Sequence, residues 1–191
     1  MSGFEVWLAR HGETAWSLAK RHTGRTDIPL TGHGIEQARA LAPALAGRSF
    51  AKVLCSPLLR ARQTCEGAGL LPEAEIRDQL VEWDYGDYEG MTTAEIHAEL
   101  RPAWLLWTDG CPGGETPADV AGRLGPLIAE LRALEGDAIV FAHGHVLRAL
   151  AAGWIEQPPL AGQRLALATG TLSRLGIEHD YPVIRAWSAA V

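Results

Sequence analysis

The sequence has little cysteine and no excess of positive charge: three cysteines in 191 residues and a formal net charge of −6. Cys55, Cys65 and Cys111 are odd in number and lack C-x-x-C spacing. That pattern argues against a disulfide framework or a cysteine-built zinc site, and it favours a reducing, cytoplasmic setting. No apolar stretch approaches the length of a membrane span. The acidic balance argues against nucleic acid or an anionic membrane as the main partner, because both demand a dense basic face. A small anionic ligand remains compatible, since a few focused arginines make a local positive pocket. Internal repeats, low-complexity tracts and inter-domain linkers are also missing. The expected first strand starts near Met1, leaving no room for a secretory leader. A single domain over 1–191 is therefore expected, alone or as a homodimer.

The pattern that is present alternates strand and helix. Phe4 to Ala9 reads as a strand, Lys20 to Pro29 as a polar loop, and Thr31 as the start of a helix that Gly47 closes. Ala51 to Cys55 is a second strand, followed by Ser56-Pro57 as N-cap and first turn of a helix to about Glu66. Glu73 to Arg77 is a weaker third strand. Thr92 and Glu95 form a capping box, a helical stretch carries Trp104, Leu105 and Trp107, and Thr116-Pro117 opens a long amphipathic helix ended by Gly136. Ala138 to Ala142 is a strand, Val146 to Ala152 a helix, and the last thirty residues hold two or three strands. The expected fold class is α/β: a three-layer α/β/α sandwich around a mainly parallel sheet, with a small helical cap at about 84–114.

Two strands end in histidine, at Arg10-His11-Gly12-Glu13-Thr14 and His143-Gly144-His145. In an open parallel sheet the strand C-termini share one edge, and ligands bind there. A neutral imidazole at His11 is a competent nucleophile toward phosphorus. Phosphoryl transfer otherwise needs positioning and charge neutralisation, which the planar fork of Arg10 supplies. Gly144 would offer a backbone N–H at a helix start, and His143 a contact to the phosphoryl group. Arg60 and Arg62 lie two positions apart and so point to different faces; spacing does not choose between them. Glu82 belongs to an acid-rich aromatic loop that could provide a general acid, and nothing local selects one carboxylate. A metal reading of His143 and His145 lacks nearby ligands to complete it.

Together these segments resemble the histidine phosphatase, or phosphoglycerate mutase-like, superfamily. The matching pieces are Arg10 to Thr14, Thr23-Gly24 with Asp27 and Pro29-Leu30-Thr31, Ser56-Pro57 with Arg60-Ala61 and Gln63-Thr64, Glu82 with Tyr85-Gly86 and Glu89-Gly90, and His143-Gly144. The resemblance implies His11 as phosphorylated nucleophile and Glu82 as general acid and then base. Arg10, Arg60 and His143 would surround the phosphoryl group, which settles Arg60 over Arg62. Thr23, Gly24, Gly144 and Ser17 would bind substrate, and no metal or other cofactor is implied. Ser17 stands where the family's mutases carry asparagine, so the phosphate contact there is altered. The segment between Glu82 and His143 is short for a mutase. A smaller, more open cap favours hydrolysis over return of the phosphoryl group, making a phosphoglycerate mutase or a non-catalytic phosphate binder the alternatives. Within the superfamily, the text around Glu82, Gly113-Gly114 and His143 is similar to sedoheptulose-1,7-bisphosphatase-type phosphatases. The expected substrate is a phosphorylated sugar or similar small metabolite, with Lys20, Arg21, His22 and Arg25 as candidates for a second phosphate.

Overall fold

β1 (Val6–Arg10) is buried on both faces: Val6 and Leu8 enter one hydrophobic cluster, Trp7 and Ala9 the other. A strand covered on both sides reads as a near-continuous apolar run, as this one does. The structure, a computed structural model, describes residues 4–190; positions 1–3 and 191 of the expected domain lie outside the described residues. After β1 come a four-residue helix α1 (Ala15–Leu18), α2 (Gly32–Leu45), β2 (Lys52–Cys55), α3 (Leu59–Gly67) and β3 (Ala74–Ile76). They are followed by α4 (Thr93–Glu99), α5 (Leu106–Asp109), α6 (Pro117–Arg132), β4 (Ala138–Ala142), α7 (Gly144–Trp154), β5 (Leu172–Glu178) and β6 (Tyr181–Ala189).

One six-stranded sheet runs in the order β3-β2-β4-β1-β5-β6. β3, β2, β4 and β1 are parallel, and β5 and β6 join antiparallel. Leu41 and Leu45 of α2 pack with Ala61 and Cys65 of α3 on one face. The other face takes Leu124 and Leu127 of α6 with Leu147 and Leu150 of α7. The expected α/β architecture with a mostly parallel sheet is the one observed.

The register fixes the functional edge. Arg10 lies opposite Ala142, and Cys55 opposite Phe141, so three parallel strands stop side by side. The next residues continue the ladder for one bond: His11 N donates to Ala142 O at 3.0 Å, and Ser56 N to Phe141 O at 2.9 Å. His11, Ser56 and His143 thus leave the sheet at one edge. α4 and α5 lie in the segment between β3 and α6, whose Trp83, Tyr85, Tyr88, Trp104 and Trp107 join the larger core cluster. Its edge-to-face pairs, Trp83–Trp107 at 5.4 Å and Tyr88–Trp104 at 5.1 Å, each add about 0.5–1.5 kcal/mol beyond burial. Gly86, at φ +50, is required here because a Cβ would stand 2.1 Å from Pro112 O.

Several boundaries differ from expectation. α3 begins at Leu59 with Leu58 as N-cap, so Ser56-Pro57 does not cap it. Its first N–H instead donates to Asp27 Oδ1 at 2.7 Å, a cap delivered from the distant polar loop. α5 covers Leu106 to Asp109 and leaves Trp104 and Leu105 outside; Asp109 Oδ2 accepts from Leu105 N at 2.8 Å and fixes the start. α6 stops at Arg132 rather than near Gly136. The capping box at Thr92, the start of α6 at Thr116-Pro117 and the positive φ of Gly47 after α2 follow the sequence signals; capping boxes also close at Thr14 with Ser17 and at Thr116 with Asp119.

Candidate active site

His11 lies at the tip of β1 in a turn that only glycine permits. A Cβ at Gly12 would meet Gly34 O at 2.3 Å, and one at Gly34 would meet Glu13 O at 2.1 Å. The turn is pinned by Gly12 N donating to Thr64 Oγ1 at 3.0 Å. His11 Nδ1 is 2.7 Å from Gly12 O, so it carries the proton and Nε2 keeps its lone pair. The ring is buried, and burial first, then the Arg10 and Arg60 charges, hold its pKa well below the ordinary value. His11 is therefore a neutral imidazole with one fixed tautomer.

Arg10 donates one N–H to the Leu167 carbonyl, while its Nε is buried with no acceptor among the described residues. The start of α7 passes directly over it: a Cβ at Gly144 would lie 3.3 Å from Arg10 Cζ. Glu82 accepts from His145 N at 2.9 Å through Oε2, and from Val146 N at 2.8 Å and Trp83 N at 2.9 Å through Oε1. The N-terminal N–H groups of a helix have no partner inside it. Glu82 takes two of them, and Gly144 N–H is left beside Arg10 without an acceptor among the described residues. Arg123 holds the Glu82 backbone by donating to its carbonyl while gripping Glu115 at 2.6 and 3.0 Å.

His11, Arg10, Glu82 and Gly144 line a cavity of about 250 Å³, together with Ser17 and Thr23. Arg60 and His143 do not reach its wall, although both were expected around the phosphoryl group. Arg60, fully buried, donates through Nε to His143 Nδ1 at 3.1 Å and through its terminal nitrogens to the carbonyls of Thr23, Gly24 and Thr26. With Nδ1 accepting, His143 carries its proton on Nε2, 2.7 Å from Ser56 Oγ. Its ring stands 5.2 Å from that of His11. The pair forms a layer directly behind His11, because Arg60 extends from α3 to tie down loop 23–26. Arg62, by contrast, is exposed.

Gly24 also lies off the cavity: its N–H donates to the Glu89 carboxylate at 2.9 Å, and a Cβ would strike Trp83 O at 2.6 Å. The Ser17 hydroxyl lines the cavity but is committed to capping α1, donating to Thr14 O and accepting from Thr14 N. Among the four second-phosphate candidates, Arg25 pairs with Asp84 at 2.5 Å and lies outside the cavity. Lys20, Arg21 and His22 line it, and Arg21 is held by Glu95 and Gly90 O. Sequence reasoning left four wall residues out of the site, Tyr85, His145, Arg148 and Leu167. Arg148 had a signal: it follows Gly144 by four on one helix, hence on the same face. Tyr85 Oη and His145 Nδ1 are 2.6 Å apart. The phenol stays protonated because burial, then the Glu82 charge, pushes its pKa up.

Four histidines share one electrostatic state. Burial holds His11, His143 and His145 well below their ordinary value, and it brings His22 down to about 4. Unfolding returns each to about 6.5. Above that pH neither form binds the proton, so the contribution is nil. Below it the unfolded chain takes protons the folded chain refuses, and stability falls by about 1.4 kcal/mol per pH unit for each fully buried ring. With His22 and His145 only partly buried, a loss on the order of 3–5 kcal/mol is expected between pH 7.5 and 5.5. Urea unfolding at the two pH values checks this; equal stabilities would contradict the neutral-ring assignment.

A phosphoryl-transfer site at the C-terminal edge of an α/β/α sheet is what these elements build. The chain matches the family model described as histidine phosphatase superfamily (branch 1) over residues 6–190, and it belongs to that superfamily. It is a phosphatase-type hydrolase. An acid phosphatase of Mycobacterium tuberculosis is 44% identical over 179 residues, covering 90% of this chain and 86% of that protein. A sedoheptulose 1,7-bisphosphatase of Saccharomyces cerevisiae is 41% identical over 180 residues, covering 77% of this chain and 66% of the yeast enzyme. The solved structure of a Mycobacterium tuberculosis open reading frame superposes with a TM-score of 0.92 at 37% identity, covering 98% of each chain.

Proposed function

We propose that the chain is a metal-independent phosphomonoesterase of the cytoplasm, acting on a phosphorylated sugar or similar small metabolite through a phosphohistidine at His11. One observation carries this: the Nδ1 contact to Gly12 O leaves Nε2 as the free nitrogen of a neutral ring on the cavity wall. The ring shares that wall with Arg10 and the Gly144 N–H. In the first step Nε2 forms a bond to phosphorus as the ester P–O bond breaks. The leaving oxygen takes its proton from Glu82. In the second step Glu82 accepts a proton from water, the oxygen attacks phosphorus, and the N–P bond breaks to release phosphate. Three backbone N–H groups occupy three of the roughly four lone-pair sites of the Glu82 carboxyl, leaving one for the travelling proton.

Arg10 and Gly144 N–H hold the phosphoryl oxygens, where charge builds in a loose transition state. Arg60 adds positive potential behind His11, the neutral His143 completes a rigid frame with it, and Thr23 and Ser17 border the substrate. Gly24 serves by letting the loop pass Trp83 and Glu89. The proposal treats 1–191 as one catalytic domain with the segment at about 84–114 as its cap. Among the described residues no group of three His, Cys, Asp or Glu side chains could hold a metal ion. Sedoheptulose 1,7-bisphosphate, the substrate in the yeast relative's name, is a first compound to test. The experiment is phosphate release from sugar mono- and bisphosphates, phosphoglycerates and nucleotides in the presence of chelator. Hydrolysis of at least one sugar phosphate is expected; faster interconversion of 3- and 2-phosphoglycerate than phosphate release would replace the phosphatase reading with a mutase.

A further inference from the structure

The cavity holds more positive charge than one phosphoryl group requires. Arg148 lines it one helical turn beyond Gly144, a rise of about 6 Å along α7 from the point where that helix crosses Arg10. Its Nε donates to Gly162 O at 2.8 Å, and its guanidinium lies 4.9 Å from the centre of the Trp107 ring. Gly162 makes this support possible, because a Cβ there would stand 2.6 Å from Trp107. The side chain is thus held by the cap on one side and the loop after α7 on the other. No carboxylate among the described residues lies within ion-pair distance of it, and none pairs with Lys20, which also lines the cavity. The remaining wall does not neutralise them: Glu82 is the single acid on it, and the histidines there are neutral. Desolvating a cation without a partner is costly, so a side chain fixed in this way is completed by an anion from outside.

We propose that Arg148, held on Gly162 and Trp107 and joined by Lys20, binds a second anionic group of the substrate, a phosphate or a carboxylate, while His11 attacks the first phosphoryl group. This rests on the phosphatase reading and narrows it to phosphomonoesters bearing a second anion. The terminal nitrogens of Arg148 present a planar fork suited to either group. The basic loop that drew notice in the sequence contributes Lys20; Arg25 is spent on Asp84 and Arg21 on Glu95.

The test compares Arg148→Met and Arg148→Lys with the unsubstituted chain on fructose 1,6-bisphosphate, 3-phosphoglycerate and fructose 1-phosphate. Arg148→Met is expected to lower kcat/KM for at least one doubly anionic substrate tenfold or more relative to fructose 1-phosphate, mainly through KM, with partial recovery in Arg148→Lys. A loss confined to the bisphosphate or to the glycerate identifies the second anion. An equal loss on all three substrates, or no loss, overturns the proposal. Absence of any hydrolysis by the unsubstituted chain would instead sink the phosphatase reading itself.

Discussion

His11→Ala is expected to lower kcat by at least about 10⁴-fold on every phosphomonoester, the scale seen when a covalent nucleophile is removed. Alanine keeps the backbone N–H to Ala142 O and the Gly12 turn on Thr64, so the fold has no reason to change. The lost ring was neutral and buried, and its removal relieves part of the acid-side instability rather than adding to it. Rapid quenching of the unsubstituted enzyme during turnover should trap acid-labile phosphate on His11, and the variant should trap none. Residual turnover within tenfold of the parent would show that water attacks directly and that the imidazole is no nucleophile. The same neutrality predicts that kcat/KM stays high on the acid side of pH 6.5, since the attacking nitrogen remains unprotonated there.

Glu82→Gln should separate substrates by leaving group. A sugar alkoxide needs a proton as the P–O bond breaks, whereas nitrophenolate departs without one. Loss of the acid is expected to cost about 10²–10⁴-fold on a sugar phosphate and far less on nitrophenyl phosphate. The substitution also has a structural cost that follows from the bonds already described. Glutamine offers one acceptor oxygen, so its amide nitrogen must face an N–H of Trp83, His145 or Val146. One unmet buried donor costs about 1–3 kcal/mol, so the melting temperature should fall. Kinetics measured well below that temperature keep the two effects apart. Equal rate losses on both substrates would remove Glu82 from the role of acid.

Some of this site was legible in the chain. A strand that delivers histidine at its C-terminus is a local feature, visible because strand patterning and the following glycine are both local. The capping box at Thr92 and the proline at the start of α6 were readable for the same reason. The start of α3 was not. Ser56-Pro57 has the composition of a cap, but its hydroxyl is drawn to His143, and Asp27 supplies the cap from thirty-two residues away. The acids of the loop 82–89 were equally opaque. Glu82 meets the helix start of α7, Asp84 pairs with Arg25, and Glu89 clamps the N–H groups of Gly24 and Thr26. Each assignment depends on a partner from another part of the chain, so no window around the loop contains it.

The sequence by itself determined the order of strands and helices, the two histidines at strand ends, and the arginine that precedes the first of them. These follow from side-chain periodicity and backbone preference, which act over a few residues. Only the tertiary structure decided that Arg60 and His143 stand behind the cavity, that Gly24 is a packing glycine, and that Arg148 lines the cavity. The reason is geometric: which polar groups meet depends on how separate segments converge at the sheet edge, and that convergence is set by packing of the whole core.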